Sequence, residues 1–151
     1  MEPVPVDEGD AGVTGASATY ALEGDGAWIA RARGLAAAFL ARAAEAADGL
    51  AVSARAVEVT QLVVSELVTN ARKYAPGPVR LDLSISGNAL EVGVRDGNPV
   101  LPVARGADPG RVGQHGLEIV MALAEALEVR QEVAGKRVTA RISLVDAPGD
   151  R

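Results

Sequence analysis

Glu66 and Asn70 stand four residues apart in the stretch SELVTNARKYA, residues 65–75, beside apolar Leu67, Val68 and Ala71. Residues at i and i+4 lie one above the other on a helix surface, so a carboxylate and a carboxamide here address one spot. Both offer oxygen, the donor a hard cation prefers, and a carboxylate can also take up a proton. Taken alone, such a pair is more often part of a solvated helix face. Three more groups raise the same question of ligand chemistry. Asp96, Gly97 and Asn98 follow the run LEVGV. A carboxylate accepts hydrogen bonds without donating, which suits a ligand's amino group, although DGN by itself is a turn signature. Gly113 and Gly116 flank Gln114 and His115 just ahead of LEIV, where backbone N–H groups and the dipole of a starting helix attract phosphate. His115 is the sole histidine; a lone histidine is more often a surface or capping residue than a catalyst, so it is assigned only a phosphate contact. Lys73 either reaches a phosphate from the Asn70 helix or is the cation expected in a helix's last turn.

The elements that must hold these residues follow from periodicity. ATYALEG reads as a short first strand, punctuated by Gly24 and Gly26. From Ala27 to about Ala47 the spacing predicts an amphipathic helix that turns Ile29, Leu35, Phe39 and Leu40 inward, with Trp28 as a core anchor and Gly49 ending it. Ser53 is placed to cap a second helix running to about Tyr74, which Pro76, Gly77 and Pro78 stop. The period then changes to two. VRLDLSIS and ALEVGVRD form an antiparallel hairpin around Gly87 and Asn88. GNPVLPVARGADPGRVGQHG, about twenty residues with three prolines and five glycines, has no periodicity. A stretch of that kind is usually functional or disordered, and residues 98–113 are expected to form a lid. LEIVMALAEAL resumes helical spacing, and LEVRQEV with KRVTARISL closes the chain as a second hairpin around Gly135. The order β, α, α, β, β, loop, α, β, β predicts a two-layer α/β sandwich of the α+β kind, its mixed, mostly antiparallel sheet covered on one face by three helices.

Composition narrows the function. At 151 residues and 48% hydrophobic content, with a mean hydropathy of +0.15, the chain has enough material for one core. Aromatic residues make up 3%, so Ala, Val, Leu and Ile must build it. The net charge of −5 and the pI near 4.9 argue against direct nucleic-acid binding, which needs a basic surface. The absence of cysteine excludes disulfides and thiolate chemistry and fits a cytoplasmic protein. The acidic start MEPVPVDEGDAG is no secretory signal, and GLAAAFLARAA is too short to span a bilayer. The expected organisation is a tail over 1–16, a domain over 17–145 and a tail over 146–151.

In their order, Glu66 with Asn70 on a helix, DGNP at a strand end, a long Gly/Pro segment and GQHGLEIV opening a helix resemble the nucleotide-binding fold of histidine kinases, Hsp90-type ATPases, gyrase and mismatch-repair ATPases, the Bergerat fold. The chain is most similar to the small bacterial anti-sigma factor and serine-protein kinase family. The resemblance covers residues 18–145, and VVSELVTNA is its most specific part, GLEIV the next. It implies ATP and Mg²⁺. Asn70 matches the asparagine that holds Mg²⁺ on the phosphates, Glu66 the general base, and Asp96 the acceptor of the adenine amino group, with Gly97 letting the base approach. Gly113, His115, Gly116 and Leu117 match the phosphate-binding helix start, and Thr139 stands near the place of a strand threonine. Asn98 and Lys73 complete the implied nucleotide contacts.

Departures from the family pattern accompany these matches. Gln114 takes a glycine position, Arg137 follows Lys136 where a threonine is usual, and Tyr74 replaces the histidine before Ala75. They leave ATP binding in place and weigh against efficient turnover. The resemblance implies an anti-sigma factor that is also a serine/threonine kinase, phosphorylating an anti-anti-sigma (STAS-domain) partner to release a sigma factor. The competing reading is an ATP-sensing module that sequesters its partner without phosphotransfer. A third, a piece of a sensor histidine kinase, is disfavoured by the Met1 tail. Monomer and homodimer are both open.

Overall fold

Alternation of apolar and polar residues builds the sheet, and its register brings the apolar rows together. The computed structural model describes residues 16–23, 27–46, 50–74, 77–97, 115–133 and 135–145. Its elements are β1 (Ala16–Leu22), α1 (Trp28–Ala46), α2 (Ala54–Tyr74), β2 (Val79–Ser86), β3 (Ala89–Asp96), α3 (His115–Leu123), β4 (Ala126–Glu132) and β5 (Gly135–Ser143). The strands form one sheet in the order β1-β2-β3-β5-β4, with each pairing antiparallel. Leu81, Val94 and Val138 share one inward row, Leu83, Val92 and Ala140 the next, and Ile85, Leu90 and Ile142 a third. All nine side chains are buried. Removing each from water is worth about 1.5–3 kcal/mol for the Val, Leu and Ile among them, so these rows fix the register.

The helices cover that face. Along α1 the buried stripe is Trp28, Ala32, Ala36, Phe39, Leu40 and Ala43, at helical spacing. Here the sequence reading needs correction: Ile29 is 37% exposed and Leu35 only packs at the margin of the core. Ala32, Ala36 and Ala43 stand in their place beside Trp28, Phe39 and Leu40, small side chains that let α1 lie close against α2. Helix α2 starts where expected. The Ser53 hydroxyl accepts a hydrogen bond from the Ala56 amide at 3.0 Å, an N-cap that satisfies one of the helix's unpaired donors. The Ser53 amide donates to the Leu144 carbonyl at 2.9 Å, tying this cap to the end of β5. Val63, Val64, Leu67, Val68 and Ala71 then form the fully buried face of α2.

Two boundaries differ from the sequence reading. The first strand begins at Ala16, inside the stretch expected to be tail. Helix α3 ends at Leu123, although helical spacing runs on to Leu127. The Glu125 amide donates to the Arg141 carbonyl at 2.7 Å, and Ala126 and Leu127 pair with Arg141 and Ala140. Sheet pairing overrides the helix propensity of Ala, Glu and Leu here. The hairpin between β2 and β3 turns at Gly87 and Asn88 as read, with Gly87 at φ 62°. The expected lid, residues 98–113, lies outside the described residues.

Candidate functional site

Helix α2 carries the two side chains that opened the question. Its apolar residues face the core, and the same rotation brings Glu66 and Asn70 to its edge, one turn apart. Asn70 is 9% exposed, and its carboxamide makes no hydrogen bond to the protein among the described residues. Glu66 is half-buried and forms no ion pair among the described residues. Both therefore keep their oxygens available. An amide oxygen held this way fits Mg²⁺, which takes oxygen ligands and completes its shell with phosphates and water. No group of three or more His, Cys, Asp or Glu able to hold a metal occurs among the described residues, so the fit rests on Asn70 and on oxygens from the nucleotide.

Helix α3 packs on α2 so that its first turn meets Glu66. A Cβ added at Gly116 would lie 2.6 Å from Glu66 Oε1 and 3.6 Å from Cδ. Glycine is thus what admits the carboxylate to the start of α3, where unpaired backbone N–H groups gather. Leu117 is 6% exposed and belongs to the core cluster. It anchors α3, and any phosphate contact it makes comes from its backbone. His115 is the first residue of α3, and Lys73 is exposed in the last turn of α2. Asn98 and Gly113 lie outside the described residues.

Asp96 ends β3 with inward parity, on the side covered by the helices. Its partner is one that the sequence reading missed. Lys136 stands opposite it in register, and Lys136 Nζ lies 3.0 Å from Oδ1 and 2.9 Å from Oδ2. Each side chain is 1% exposed. A buried pair gains little net stability over apolar residues, yet removing one partner costs about 3–5 kcal/mol because the other charge stays buried. Gly135 holds the pair in register: a Cβ there would overlap the Asp96 carbonyl oxygen and lie 2.9 Å from Gly97 Cα. The signal for Lys136 was present in the alternation. Val138, Ala140 and Ile142 point inward, so Lys136 must as well.

The same alternation corrects one assignment. Thr139 lies on the opposite, helix-free face, in a cleft of about 110 Å³ lined by Glu91, Glu128, Arg130 and Arg137. It is not brought to Glu66, Asn70 and Asp96, since odd positions of β5 face outward. A second cleft of about 220 Å³ reaches Asp96 and the exposed Gly97, bordered by Ala21, Pro78, Val79, Arg80 and Arg95. The Trp28 ring is 7% exposed, and the Arg72 guanidinium lies 4.7 Å from its centroid, consistent with its reading as a core anchor.

Residues 29–142 match the family model described as histidine kinase-like ATPase domain. No curated protein sequence matches the chain. Among solved structures the chain is similar to the histidine kinase AdeS of Acinetobacter baumannii, at 17% identity over 60% of this chain and 48% of that one, TM-score 0.45. It is similar to the EL346 blue-light activated histidine kinase of Erythrobacter litoralis, at 28% identity over 72% of this chain and 42% of that one, TM-score 0.49. To the histidine kinase domain of that protein the figures are 22% identity, 77% and 70% coverage, and TM-score 0.46. The chain thus spans about half the length of the first two. No helix among the described residues is long and apolar enough to cross a membrane.

Proposed function

We infer the function from the family to which this chain belongs, the histidine kinase-like ATPase domains, whose pattern spans residues 29–142. Membership implies ATP binding by a kinase-like regulatory domain. Beyond that coarse statement, the reading favoured is an anti-sigma factor-type serine/threonine kinase that phosphorylates an anti-anti-sigma (STAS-domain) protein in the cytoplasm. The observation that carries it is the Glu66 carboxylate set against Gly116 at the start of α3, with Asn70 one turn along α2.

Each residue has a task in that reading. Backbone N–H groups of the first turn of α3 bind phosphate oxygens, aided by the helix dipole. Asn70 would hold Mg²⁺ through its carboxamide oxygen, and the ion when bound neutralises phosphate charge. Glu66 accepts the proton of a partner serine or threonine hydroxyl as that oxygen bonds to the γ-phosphorus and the bond from phosphorus to the ADP oxygen breaks. Asp96 stands at the end of β3 where an adenine amino group would be read, with Lys136 already on its carboxylate.

The buried Lys136–Asp96 pair favours a second reading, a weak catalyst that senses ATP and sequesters a sigma factor or another regulator. Incubation with γ-labelled ATP and STAS-domain proteins separates the two. Label on a partner serine or threonine, lost with Glu66→Gln, supports the kinase. Retention of a partner in a pull-down without label supports the binding module.

A further inference from the structure

We propose that Lys136 is a specificity-determining residue of the nucleotide site: its ammonium occupies the Asp96 carboxylate, so an adenine amino group gains little there until the pair opens. This rests on the ATP-binding reading and concerns how the base is read. Lys136 touches both carboxylate oxygens, at 3.0 Å and 2.9 Å, with both side chains 1% exposed. The arrangement is not a chance side-chain rotation. Asp96 and Lys136 are cross-strand partners, and Gly135 lies so close to the Asp96 and Gly97 backbone that a Cβ there would overlap the Asp96 carbonyl oxygen. Lys136 is thus delivered to Asp96 by the backbone itself.

A carboxylate has lone pairs for more than one donor, but with the Asp96 side chain 1% exposed against Lys136 an exocyclic amine gains its oxygens by displacing the ammonium. The ammonium holds the advantage, because a charge-assisted hydrogen bond is the stronger kind. A neutral amine that displaced it would also leave a positive charge buried without its partner. The base amino group therefore adds little to affinity while Lys136 is in place. Phosphate contacts at α3 carry the binding instead, and base discrimination is poor. Replacing Lys136 with an apolar residue releases the Asp96 oxygens that the ammonium now holds, and the adenine amino group can donate to them.

The test is calorimetry of the full chain with ATP and with inosine triphosphate, which has a keto oxygen in place of the adenine amino group. In the wild type the two affinities should agree within about threefold, because the amino group makes no decisive bond. In Lys136→Met, which keeps a similar length without the charge or a donor, ATP should bind about tenfold more tightly while inosine triphosphate stays unchanged, the scale of one hydrogen bond to a charged group. Lys136→Leu serves as a second variant, and circular dichroism confirms folding of each. The wild-type comparison stands even if neither variant folds. A wild type that already prefers ATP by about tenfold overturns the inference and leaves ATP binding intact. If a folded wild type binds neither nucleotide, the ATP-binding reading fails and takes this inference with it.

Discussion

Glu66 Oε1 lies where a side chain at position 116 would begin: a Cβ on Gly116 would stand 2.6 Å from it. The clash is with the tip of a flexible side chain, so Gly116→Ala is relieved by rotating Glu66 away. Fold stability should hold or rise slightly, since alanine is favoured over glycine inside a helix by about 0.5–1 kcal/mol. Phosphotransfer should fall about 10²-fold, the cost of misplacing a reacting group by about 1 Å. Thermal melts paired with single-turnover phosphorylation measure both. A lower melting temperature with unchanged phosphotransfer would reverse the assignment of Gly116 as the residue that admits Glu66.

Gly135 presents the opposite case. The atom in the way is the Asp96 carbonyl oxygen, and Gly97 Cα lies 2.9 Å from the same added Cβ, so no side chain can swing aside. Gly135 also sits at φ 159°, at the border of the region L residues avoid. Gly135→Ala must spread the ends of β3 and β5, at about 1–3 kcal/mol or more by analogy with overpacked cores. Urea denaturation monitored by fluorescence of Trp28, which is 7% exposed when folded, should show the midpoint lowered. An unchanged midpoint would mean that the approach of β5 to Asp96 is looser than described.

Much of the layer arrangement was legible because period-two alternation is a direct record of burial. VRLDLSIS and ALEVGVRD became β2 and β3 at their quoted bounds, and Ser53 caps α2 as read. Local signals failed where a distant partner decided. Ala126 and Leu127 read as helix but pair with β5, and half of the buried stripe of α1 is alanine, Ala32, Ala36 and Ala43, which no hydrophobicity ranking would single out above Ile29. That Glu66 and Asn70 share one edge of α2 was readable from spacing, since helix geometry alone brings i and i+4 together. Thr139 was misplaced and Lys136 missed for one shared reason. Family position was followed where strand parity should have decided, and parity turns Lys136 inward and Thr139 out.

Asp96→Asn removes the countercharge of a lysine whose side chain is 1% exposed. The ammonium would then stay buried beside a neutral amide, or leave its place and disturb the end of the sheet. Loss of about 3–5 kcal/mol in unfolding free energy is expected, the usual cost of breaking a buried pair from one side. Pairing the change with Lys136→Met removes both charges and should recover most of that loss. A double-mutant cycle read by urea denaturation tests this, and additive effects of the two changes would remove the coupling claimed between them.

Glu66 and Asn70 share an edge of α2 yet are expected to fail in different ways. Asn70→Ala removes the oxygen proposed to hold Mg²⁺, so Mg²⁺-dependent strengthening of ATP binding should vanish. Because that amide makes no hydrogen bond to the protein among the described residues, its loss should leave the melting temperature of the free protein nearly unchanged. Glu66→Gln keeps the shape and hydrogen-bonding capacity of the side chain but cannot take a proton at neutral pH. It should bind ATP as the wild type does and lose phosphotransfer by a factor of about 10²–10⁴, the usual contribution of a positioned base. Calorimetry with and without Mg²⁺, beside labelled-ATP assays on a STAS-domain partner, reads the two defects separately. Equal phosphotransfer by Glu66→Gln and wild type would show that Glu66 is not the base, and Mg²⁺-dependent binding that survives in Asn70→Ala would move the metal ligand elsewhere.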